Sequence, residues 1–558
     1  MSDLEVDLVC VGFGPATAGF LTTLSQTPGL ESRVAPGMPL QVICYERAED
    51  ISFGVSGLVT RGRGIRASLP DLDPTAIPLA TPVTHEKLVY LADPIGASRR
   101  GPALRHIDRW LRSVDLAREW AFELPYTPPF LRKHGGLVMS LGQFLQHVGG
   151  SLMASGTVQI WPAMPVAEAV LEDGLVRGVR LTDQGVDRRG QPEAGYLPGL
   201  EVRALLTVVG DGPVGAVGRQ LEAAFPWPEG QRQKEWALGM KMVAELPDDV
   251  DLAAGTVIHT LGFPEPEIFG FFYVHPGRVA TAGIFVPSWF LSPVRTAYRY
   301  LQHFLMHPYL WRYLERARLR SWGAKSLRES GRRGEPVLVG EGFARIGEGS
   351  GSTNALTGSG VDEAWTTGVQ LAEAVTALLR DGAPLDRAHL ETAYLERRRG
   401  SWVDREAHIA ERARDGFHRG FFPGLIGMAL AGLTQGRIAI PGEPRPMPST
   451  IDARGWPAIP YDGRILLSHQ DALLLGGKVQ APPGYADHVR FLDASVCARC
   501  GTHLCVEMCS GQAITANGDG VPAFDREKCV HCGACLWNCE AHNLVFQAGA
   551  GGLHSSEN

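Results

Sequence analysis

Long uncharged hydrophobic runs are absent from this 558-residue sequence. The longest stretch without Asp, Glu, Lys or Arg is 134–167, and glycines, prolines, Gln143, Gln146 and His147 divide it into a helix-like and a strand-like part. A membrane-spanning helix needs about 20 consecutive apolar residues, so we expect none. The first residues, MSDLEVD, are acidic and run directly into a strand, which is not the pattern of a secretory signal or transit peptide. We therefore expect a cytoplasmic protein.

Long basic runs are also absent, and the net charge is −7. The sequence therefore has no basic segment that would bind the phosphates of a nucleic acid, and we expect no nucleic-acid partner. The hydrophobic fraction of 44% is typical of a globular protein. A chain of this length is expected to hold two to four domains with large cores.

Cysteine is scarce through most of the chain, where only Cys10 and Cys44 precede residue 497. This usage argues against disulfides, and both residues lie in apolar strand-like runs where a buried small side chain is the simplest interpretation. The other eight cysteines form two runs, Cys497-x2-Cys500-x4-Cys505-x3-Cys509 and Cys529-x2-Cys532-x2-Cys535-x3-Cys539.

Two runs of three close cysteines, each followed by a fourth, are typical of a two-cluster ferredoxin, in which the fourth cysteine ligates the other cluster. The spacing predicts one [4Fe-4S] cluster on Cys497, Cys500, Cys505 and Cys539, and another on Cys509, Cys529, Cys532 and Cys535. The first run departs from the pattern because four residues separate its second and third cysteines. Structural zinc is the main alternative, since Cys-x2-Cys pairs also bind zinc.

The N-terminus carries a dinucleotide-binding pattern. A short apolar strand, Val6 to Val11, leads into Gly12-Phe13-Gly14-Pro15-Ala16-Thr17 and a helix-like segment. Gly12 permits a tight turn, and Gly14 lets the backbone approach a pyrophosphate at the helix N-terminus. Thr17 replaces the usual third glycine, and Ala18 and Gly19 are expected to supply the close helix–strand packing. A second strand, Leu40 to Tyr45, ends at Glu46, which is placed to bind a ribose.

Two later glycine turns extend the predicted nucleotide site. The strand Leu205 to Val209 is followed by Gly210-Asp211-Gly212, and the segment 343–360 contains Gly347, Glu348, Asn354 and Gly360 before a helix. A glycine turn at a helix N-terminus offers backbone N–H groups to a ribityl–phosphate chain. A different register would use Gly340 and Glu341 in place of Gly347 and Glu348.

Several motifs in order resemble the electron-transfer-flavoprotein:ubiquinone oxidoreductase family. They are Gly12-x-Gly14-Pro15-Ala16, Glu46-Arg47, Ser56-Gly57, Thr81-Pro82-Val83-Thr84, Gly210-Asp211-Gly212, the Asn354 to Gly360 loop, Tyr461-Asp462-Gly463-Arg464, the Cys529 to Cys535 run and Gly549 to Gly552. The resemblance implies FAD in a two-part Rossmann-like domain, bound also by Arg47, Ser56 and Gly57. It further implies a quinone-binding domain with an antiparallel sheet and a C-terminal ferredoxin-like iron–sulfur domain.

The expected fold is therefore α/β plus α+β. The predicted divisions are 1–225 and 336–410 for the two parts of the FAD domain, 226–335 for the quinone domain, 411–485 for a membrane-contact segment and linker, and 486–558 for the iron–sulfur domain. In the best-known members one cluster corresponds to Cys509, Cys529, Cys532 and Cys535. The other four cysteines resemble those of two-cluster, ferredoxin-like partner subunits of related proteins.

The resemblance implies that electrons pass from reduced electron-transfer flavoprotein through the clusters and FAD to ubiquinone or menaquinone. We assign no catalytic acid or base. His531, between cluster ligands, is expected to face solvent; the alternative is that it tunes a cluster potential. One rival function is a flavin-dependent ene-reductase of the geranylgeranyl reductase type fed by the fused ferredoxin, and another is a flavin-fold scaffold with a zinc-bound tail.

The segment Gly420 to Gly436 contains seventeen uncharged residues between Arg419 and Arg437. It is short for a span but suits a helix lying in the membrane interface, and the family has its quinone entrance in the corresponding region. We therefore predict peripheral attachment to the inner face of the cell membrane, with a buried core helix as the alternative. The aromatic segment Phe263 to Phe290 is expected to line the substrate domain.

Overall fold

The fold was analysed in a computed structural model, which describes residues 4–51, 57–114, 118–232, 235–288, 297–443, 455–539 and 541–553. Its strands are β1 (Leu4–Val11), β2 (Val42–Tyr45), β3 (Leu58–Thr60), β4 (Thr81–Pro82), β5 (His85–Leu91), β6 (Ala121–Leu124), β7 (Leu137–Met139), β8 (Gln159–Trp161), β9 (Val166–Glu172), β10 (Leu175–Leu181), β11 (Gln184–Val186), β12 (Pro192–Leu197), β13 (Glu201–Val209), β14 (Trp236–Glu245), β15 (Thr256–Leu261), β16 (Phe269–Val274), β17 (Val279–Pro287), β18 (Arg318–Arg328), β19 (Val339–Gly340), β20 (Phe343–Arg345), β21 (Val479–Gln480), β22 (Val489–Phe491), β23 (Ile514–Thr515), β24 (Ala523–Phe524), β25 (Leu544–Phe546) and β26 (Gly552–Leu553).

The α-helices of the same residues are α1 (Pro15–Ser25), α2 (Arg63–Ser68), α3 (Pro102–Ser113), α4 (Leu141–Ser155), α5 (Ala216–Ala224), α6 (Ala297–Leu305), α7 (Pro308–Leu314), α8 (Val361–Arg380), α9 (Arg387–Leu390), α10 (Glu396–Arg399), α11 (Trp402–Ala410), α12 (Phe421–Leu433), α13 (His469–Ala472), α14 (Ala494–Ala498), α15 (Leu504–Glu507) and α16 (Ala534–Trp537).

The first sheet has the nucleotide-binding arrangement predicted from the N-terminal motif. Its main path is β19-β20-β13-β1-β2-β8, with β10 and β9 added through β13. β1 pairs in parallel with both β2 and β13, and its residues from Val6 onward are buried. A strand covered on both faces favours a continuous apolar run, which explains the composition of this segment.

Helices α1 and α8 pack closely beside this sheet. A Cβ added at Gly368 of α8 would lie 1.9 Å from the backbone oxygen of Ala16, and one added at Gly19 would lie 2.6 Å from the oxygen of Trp365. Gly19 therefore supplies close packing between two helices rather than the helix–strand packing expected from the sequence. The contact joins residues near position 20 to residues near position 370.

A second sheet of seven strands has the order β18-β14-β17-β16-β15-β5-β6. Most neighbours are antiparallel, while β15 and β5 are parallel. Strands β5 and β6 come from residues 85–124, so an N-terminal segment completes a sheet built mainly from residues 236–328. One face packs against α6 and α7 in a large hydrophobic core, which includes Phe272, Tyr300 and Trp322.

The C-terminal residues form short two-stranded pairs, β22 with β25 and β23 with β24, around the cysteine segments. A small core containing Val489, Ile514, Leu544 and Phe546 surrounds several of the cysteines. No helix among the described residues is long and apolar enough to cross a membrane.

Candidate functional site

A cavity of about 400 Å³ lies between the two sheets. Its walls come from the β1–α1 turn, the end of β2, the loop after β13, the loop before α8 and one face of the second sheet. These elements are far apart in the sequence. The predicted residues that line the cavity are Gly12, Gly14, Pro15, Ala16, Glu46, Arg47, Asp211, Gly212, Gly347, Glu348, Asn354 and Gly360.

The β1–α1 turn has the geometry of a phosphate-binding loop. Gly12 adopts φ +83°, and a Cβ there would lie 3.1 Å from the oxygen of Gly210. Gly14 is the N-cap of α1, and a Cβ added there would meet no atom within 4 Å. Open space beside the N-terminus of a helix leaves room for a pyrophosphate, which the exposed N–H groups and helix dipole attract.

Glu46 is held by the backbone around it. Its Oε2 accepts a hydrogen bond of 2.8 Å from the N–H of Phe13, and its Oε1 accepts one of 3.0 Å from the N–H of Ala48. A carboxylate has about four lone-pair sites, so each oxygen keeps capacity for a ribose hydroxyl. The carboxylate thus ties the end of β2 to the glycine turn while facing the cavity.

Two predicted residues, Thr17 and Gly57, do not line the cavity. Thr17 is fully buried and does not line the cavity; its Oγ1 would lie 2.3 Å from a Cβ added at Gly210. Gly57 adopts φ +77° and its carbonyl accepts a bond of 2.9 Å from Nζ of Lys241, which does line the cavity. Ser56 falls outside the described residues.

Asp211 follows the third strand of the site. Its Oδ2 accepts a hydrogen bond of 2.9 Å from the N–H of Gly218 in the first turn of α5. Burial raises the pKa of this carboxyl, partly offset by the Gly218 N–H and by Arg345. Gly212 adopts φ +79°, and a Cβ there would meet open space. Asp211 therefore shapes the loop, and Gly212 leaves room for a ligand.

The loop before α8 supports the Gly347–Glu348 register. Both residues line the cavity, whereas Gly340 and Glu341 do not, and Gly340 belongs to β19. Oε1 of Glu348 accepts a bond of 3.1 Å from the N–H of Arg328, and burial raises the pKa of this carboxyl to about 7.

Asn354 bends the loop that leads into α8, because its Oδ1 accepts hydrogen bonds from the N–H groups of Leu356 and Thr357 at 3.1 and 3.0 Å. Gly360 is the N-cap of α8. The N-terminus of a 20-residue helix therefore faces the cavity and provides a second region of positive dipole.

Three lysines, of which Lys133 is buried and the other two are partly buried, were missed by sequence reasoning. Lys133, Lys241 and Lys325 line the cavity, and burial lowers their pKa values to about 8, 7 and 8, respectively. They sit on separate elements, so no local motif marks them. With the two helix N-termini they make the cavity suited to an anionic ligand.

The second sheet provides an apolar wall. Phe269, Phe271, Tyr273 and Phe285 line the cavity, and the rings of Phe271 and Tyr273 stack with centroids 4.5 Å apart. Phe272 points into the core behind the sheet. The aromatic segment thus lines the cavity through alternate residues, as the two-residue period of a strand requires.

Helix α12 closes the cavity near this wall. Met428 lines the cavity, and Phe421, Gly424 and Ala431 are buried on the same side of the helix. The other side presents Phe422, Ile426 and Leu433, which are 40, 54 and 82% exposed. The helix is therefore neither a fully buried core helix nor a polar surface helix.

The first group of four thiols comes from both cysteine runs. Burial, together with nearby Cys539, Cys500 and Cys497, raises the pKa of Cys505 to about 12. Asn543 joins the two ends of the group, since its N–H donates to Sγ of Cys539 at 3.3 Å and its Nδ2 donates to Sγ of Cys497 at 3.1 Å.

The second group has Cys535 beside Cys532, Cys529 and Cys509, and burial together with these neighbours raises the pKa of the Cys535 thiol. Sγ of Cys509 accepts a bond of 3.3 Å from the N–H of Ile514. Each group thus combines one cysteine from one run with three from the other, and clustered thiols with N–H donors match the chemistry of iron–sulfur ligands.

His531 corrects the sequence interpretation. It is 2% exposed, so it does not face solvent, and its Nδ1 contacts Nη1 of Arg47. Its ring lies against that of His488, with centroids 3.8 Å apart and planes tilted by 36°, and Nε2 of His488 lies 3.2 Å from Sγ of Cys529. Ligand atoms of His488, Cys529 and His531 lie within 4.8 Å of one another.

The second thiol group shares a wall with the cavity. Val214 and Arg47 line the cavity; Arg47 contacts His531, and the side chain of Val214 lies 2.7 Å from a Cβ added at Gly533. Cys529, Cys532 and Cys535 therefore follow directly behind the nucleotide loops. The side chains of Arg47 and Val214 thus lie between the cavity and the segment that carries these three cysteines.

No family model matches the sequence. A solved geranylgeranyl bacteriochlorophyll reductase-like protein from Thermoplasma acidophilum has a similar fold, with a TM-score of 0.52, 15% identity and coverage of 78% of this chain and 91% of that protein. Together, the parallel sheet, the glycine turns and the cavity define a mixed α/β oxidoreductase with a flavin-type nucleotide site.

Relatives found by sequence similarity indicate a narrower group of proteins than the fold does. The electron transfer flavoprotein-ubiquinone oxidoreductase of Pseudomonas aeruginosa is 25% identical over 576 residues, covering 98% of both chains. The Dictyostelium discoideum mitochondrial protein of the same name is 27% identical over 444 residues, covering 76% of this chain and 67% of its own. The chain is a homologue of these proteins, which confirms the resemblance drawn from its motifs.

Proposed function

We propose that this protein takes electrons from reduced electron-transfer flavoprotein and passes them to a membrane quinone, ubiquinone or menaquinone. The observation that carries the proposal is the shared wall between the nucleotide cavity and the second thiol group. Two redox sites on either side of one wall would suit electron relay, and the names of the relatives support the same reaction.

The residues around the cavity fit FAD. The open space at Gly14 and Gly212 would admit the pyrophosphate and ribityl chain, Glu46 would bind the ribose, and the N-terminus of α8 at Gly360 would offer N–H groups to the ribityl–phosphate chain. Lys133 and Lys241 would favour an anionic ligand. When bound, FAD supplies exchange of one or two electrons, while the protein provides position and electrostatics.

The two thiol groups fit two [4Fe-4S] clusters. Cys509, Cys529, Cys532 and Cys535 would hold the cluster nearer the cavity, and Cys497, Cys500, Cys505 and Cys539 would hold the other. Such clusters supply one-electron transfer. The N–H donors of Ile514 and Asn543 would stabilise the negative sulfurs, and residues 486–558 would form the ferredoxin-like domain. Eight thiols in two groups of four favour this assignment over a single zinc site.

We propose that α12 lies on the membrane. Its exposed face carries Phe422, Ile426 and Leu433, and its other face reaches the cavity through Met428. Apolar side chains at an exposed helix face bind the interface between lipid headgroups and acyl chains. A quinone could then move from lipid to the aromatic wall without crossing water, which fits peripheral attachment to the inner membrane face.

Anaerobic turnover tests the proposed reaction. Purified protein with reduced electron-transfer flavoprotein should convert a short-chain quinone to quinol, and iron and sulfide analysis should give about eight of each per chain. Flavin-dependent reduction of an isoprenoid double bond without quinone turnover would instead support the ene-reductase. Zinc without iron would overturn the cluster assignment, and about four irons would mean a single cluster.

A further inference from the structure

One pair of titratable groups at the cavity wall belongs neither to the nucleotide loops nor to the thiol groups. Nε2 of His259 on β15 lies 2.9 Å from Oε1 of Glu86 on β5. His259 lines the cavity, and the two side chains are 12 and 7% exposed. The residues are brought together by the parallel pairing of β15 with β5.

Glu86 is fixed by three hydrogen bonds. Besides His259, its oxygens accept the N–H groups of Lys133 at 2.7 Å and His134 at 3.2 Å. Burial raises the pKa of Glu86, but His259 and these donors outweigh burial and leave the pKa below its ordinary value. The Glu86 carboxylate is therefore fixed in position, and it orients the His259 imidazole through Nε2.

The other ring nitrogen of His259 is available to a ligand. Among the described residues, the Glu86 bond is the one hydrogen bond made by the His259 side chain, so Nδ1 is not engaged by the protein. The same stretch of wall includes Leu88, Phe269 and Met428. Apolar and aromatic surfaces with one convergent polar group are typical of a site for a planar, weakly polar ligand.

We propose that His259 is the proton donor for quinone reduction and that Glu86 is its positioning residue. This inference rests on the proposed function, because quinone conversion to quinol takes up two electrons and two protons. The electrons come from reduced electron-transfer flavoprotein. One proton leaves Nδ1 of the His259 imidazolium as an O–H bond forms on the quinone oxygen; solvent reprotonates the ring and supplies the second proton.

The charged surroundings set the direction of the pH dependence. Burial lowers the pKa of His259, Glu86 raises it and Lys133 lowers it, with a net value below the ordinary one. Because the imidazolium is the donor, the rate of quinone reduction should be highest below this pKa and fall as pH rises through it. Replacing Glu86 by Gln removes the stabilising anion, so the fall should move to lower pH.

The test compares two acceptors with the same electron donor. Reduced electron-transfer flavoprotein is supplied to holoenzyme with either a short-chain quinone or ferricenium, a one-electron acceptor that takes up no proton. His259→Gln should lower the ratio of quinone rate to ferricenium rate about 100-fold, the usual size of general acid catalysis. It should also abolish the pH dependence and the solvent deuterium effect on quinone reduction.

His85→Asn is the matched control, since His85 is exposed, lies beside Glu86 on β5 and does not line the cavity. The proposal is overturned if the ratio of quinone rate to ferricenium rate in His259→Gln stays within twofold of wild type. It is also overturned if the variant loses the same fraction of its rate with both acceptors. If His259→Gln loses its flavin, the pH profile of quinone reduction by Glu86→Gln is the deciding measurement. A profile that is not shifted to lower pH overturns the proposal. Wild-type protein that reduces ferricenium but no quinone overturns the proposed function itself.

Discussion

Replacing Glu46 by Ala tests how the nucleotide loop is built. The carboxylate accepts the backbone N–H groups of Phe13 and Ala48 at 2.8 and 3.0 Å, and the residue is 9% exposed. A hydrogen bond to a charged group contributes about 1.5–3 kcal/mol. Loss of both bonds should therefore lower the free energy of unfolding of the apoprotein by about 3–6 kcal/mol, before any effect on FAD.

Urea unfolding of the apoprotein, followed by circular dichroism, measures this loss. Glu46→Gln keeps one acceptor oxygen and should lose about half as much, while Glu49→Ala, an exposed carboxylate in the same loop, should change the free energy by less than about 0.5 kcal/mol. Titration with FAD then gives the separate effect on binding. An Ala variant of wild-type stability that binds FAD more than tenfold more weakly would refute the structural role and leave Glu46 as a ligand alone.

Three further outcomes are expected. Gly368→Ala places a methyl group 1.9 Å from a backbone oxygen of α1 and should destabilise the protein by about 1–3 kcal/mol in thermal or urea unfolding, whereas Gly150→Ala in α4, with open space around it, should not destabilise it. Ile426→Glu removes an apolar contact worth about 1.5–3 kcal/mol and should weaken sedimentation with lipid vesicles more than about tenfold; unchanged sedimentation would exclude α12 as the membrane contact. His488→Leu removes the ring nitrogen that lies 3.2 Å from Sγ of Cys529. The tautomer with a proton on this nitrogen would donate to a cluster thiolate, so the variant should lower the potential of the nearer cluster by about 20–60 mV in an EPR redox titration, while a potential equal to wild type would show that this contact does not tune it.

The residues of the nucleotide loops could be predicted because each motif consists of a few residues that are consecutive in the sequence. A buried strand, a glycine turn and a helix follow one another within the first 25 residues, and the next strand ends at Tyr45, directly before Glu46. Each requirement is met by a particular residue type, such as Gly12 at positive φ. The cysteine spacing is a local signal of the same kind, and the two sets of four ligands that it predicts remain a prediction.

The tertiary structure decided which residues from distant parts of the chain contact one another, because no local sequence pattern encodes these contacts. His531 looks like an ordinary loop residue in sequence, yet Arg47 and His488 enclose it. The pairing of β15 with β5 brings His259 to Glu86 across 173 positions. Neither contact leaves a periodic or motif signal, because the partners belong to different elements.

By itself, the sequence of this protein determined the types of site it contains, because turns, helix starts and thiol spacing depend on neighbours along the chain. The structure decided that these sites share walls: Asp211 and Gly360 meet Gly12 around one cavity, and α12 turns one apolar face inward and the other outward. Those relations follow from how two sheets and their helices bury their apolar surfaces against one another, which is a property of the whole fold.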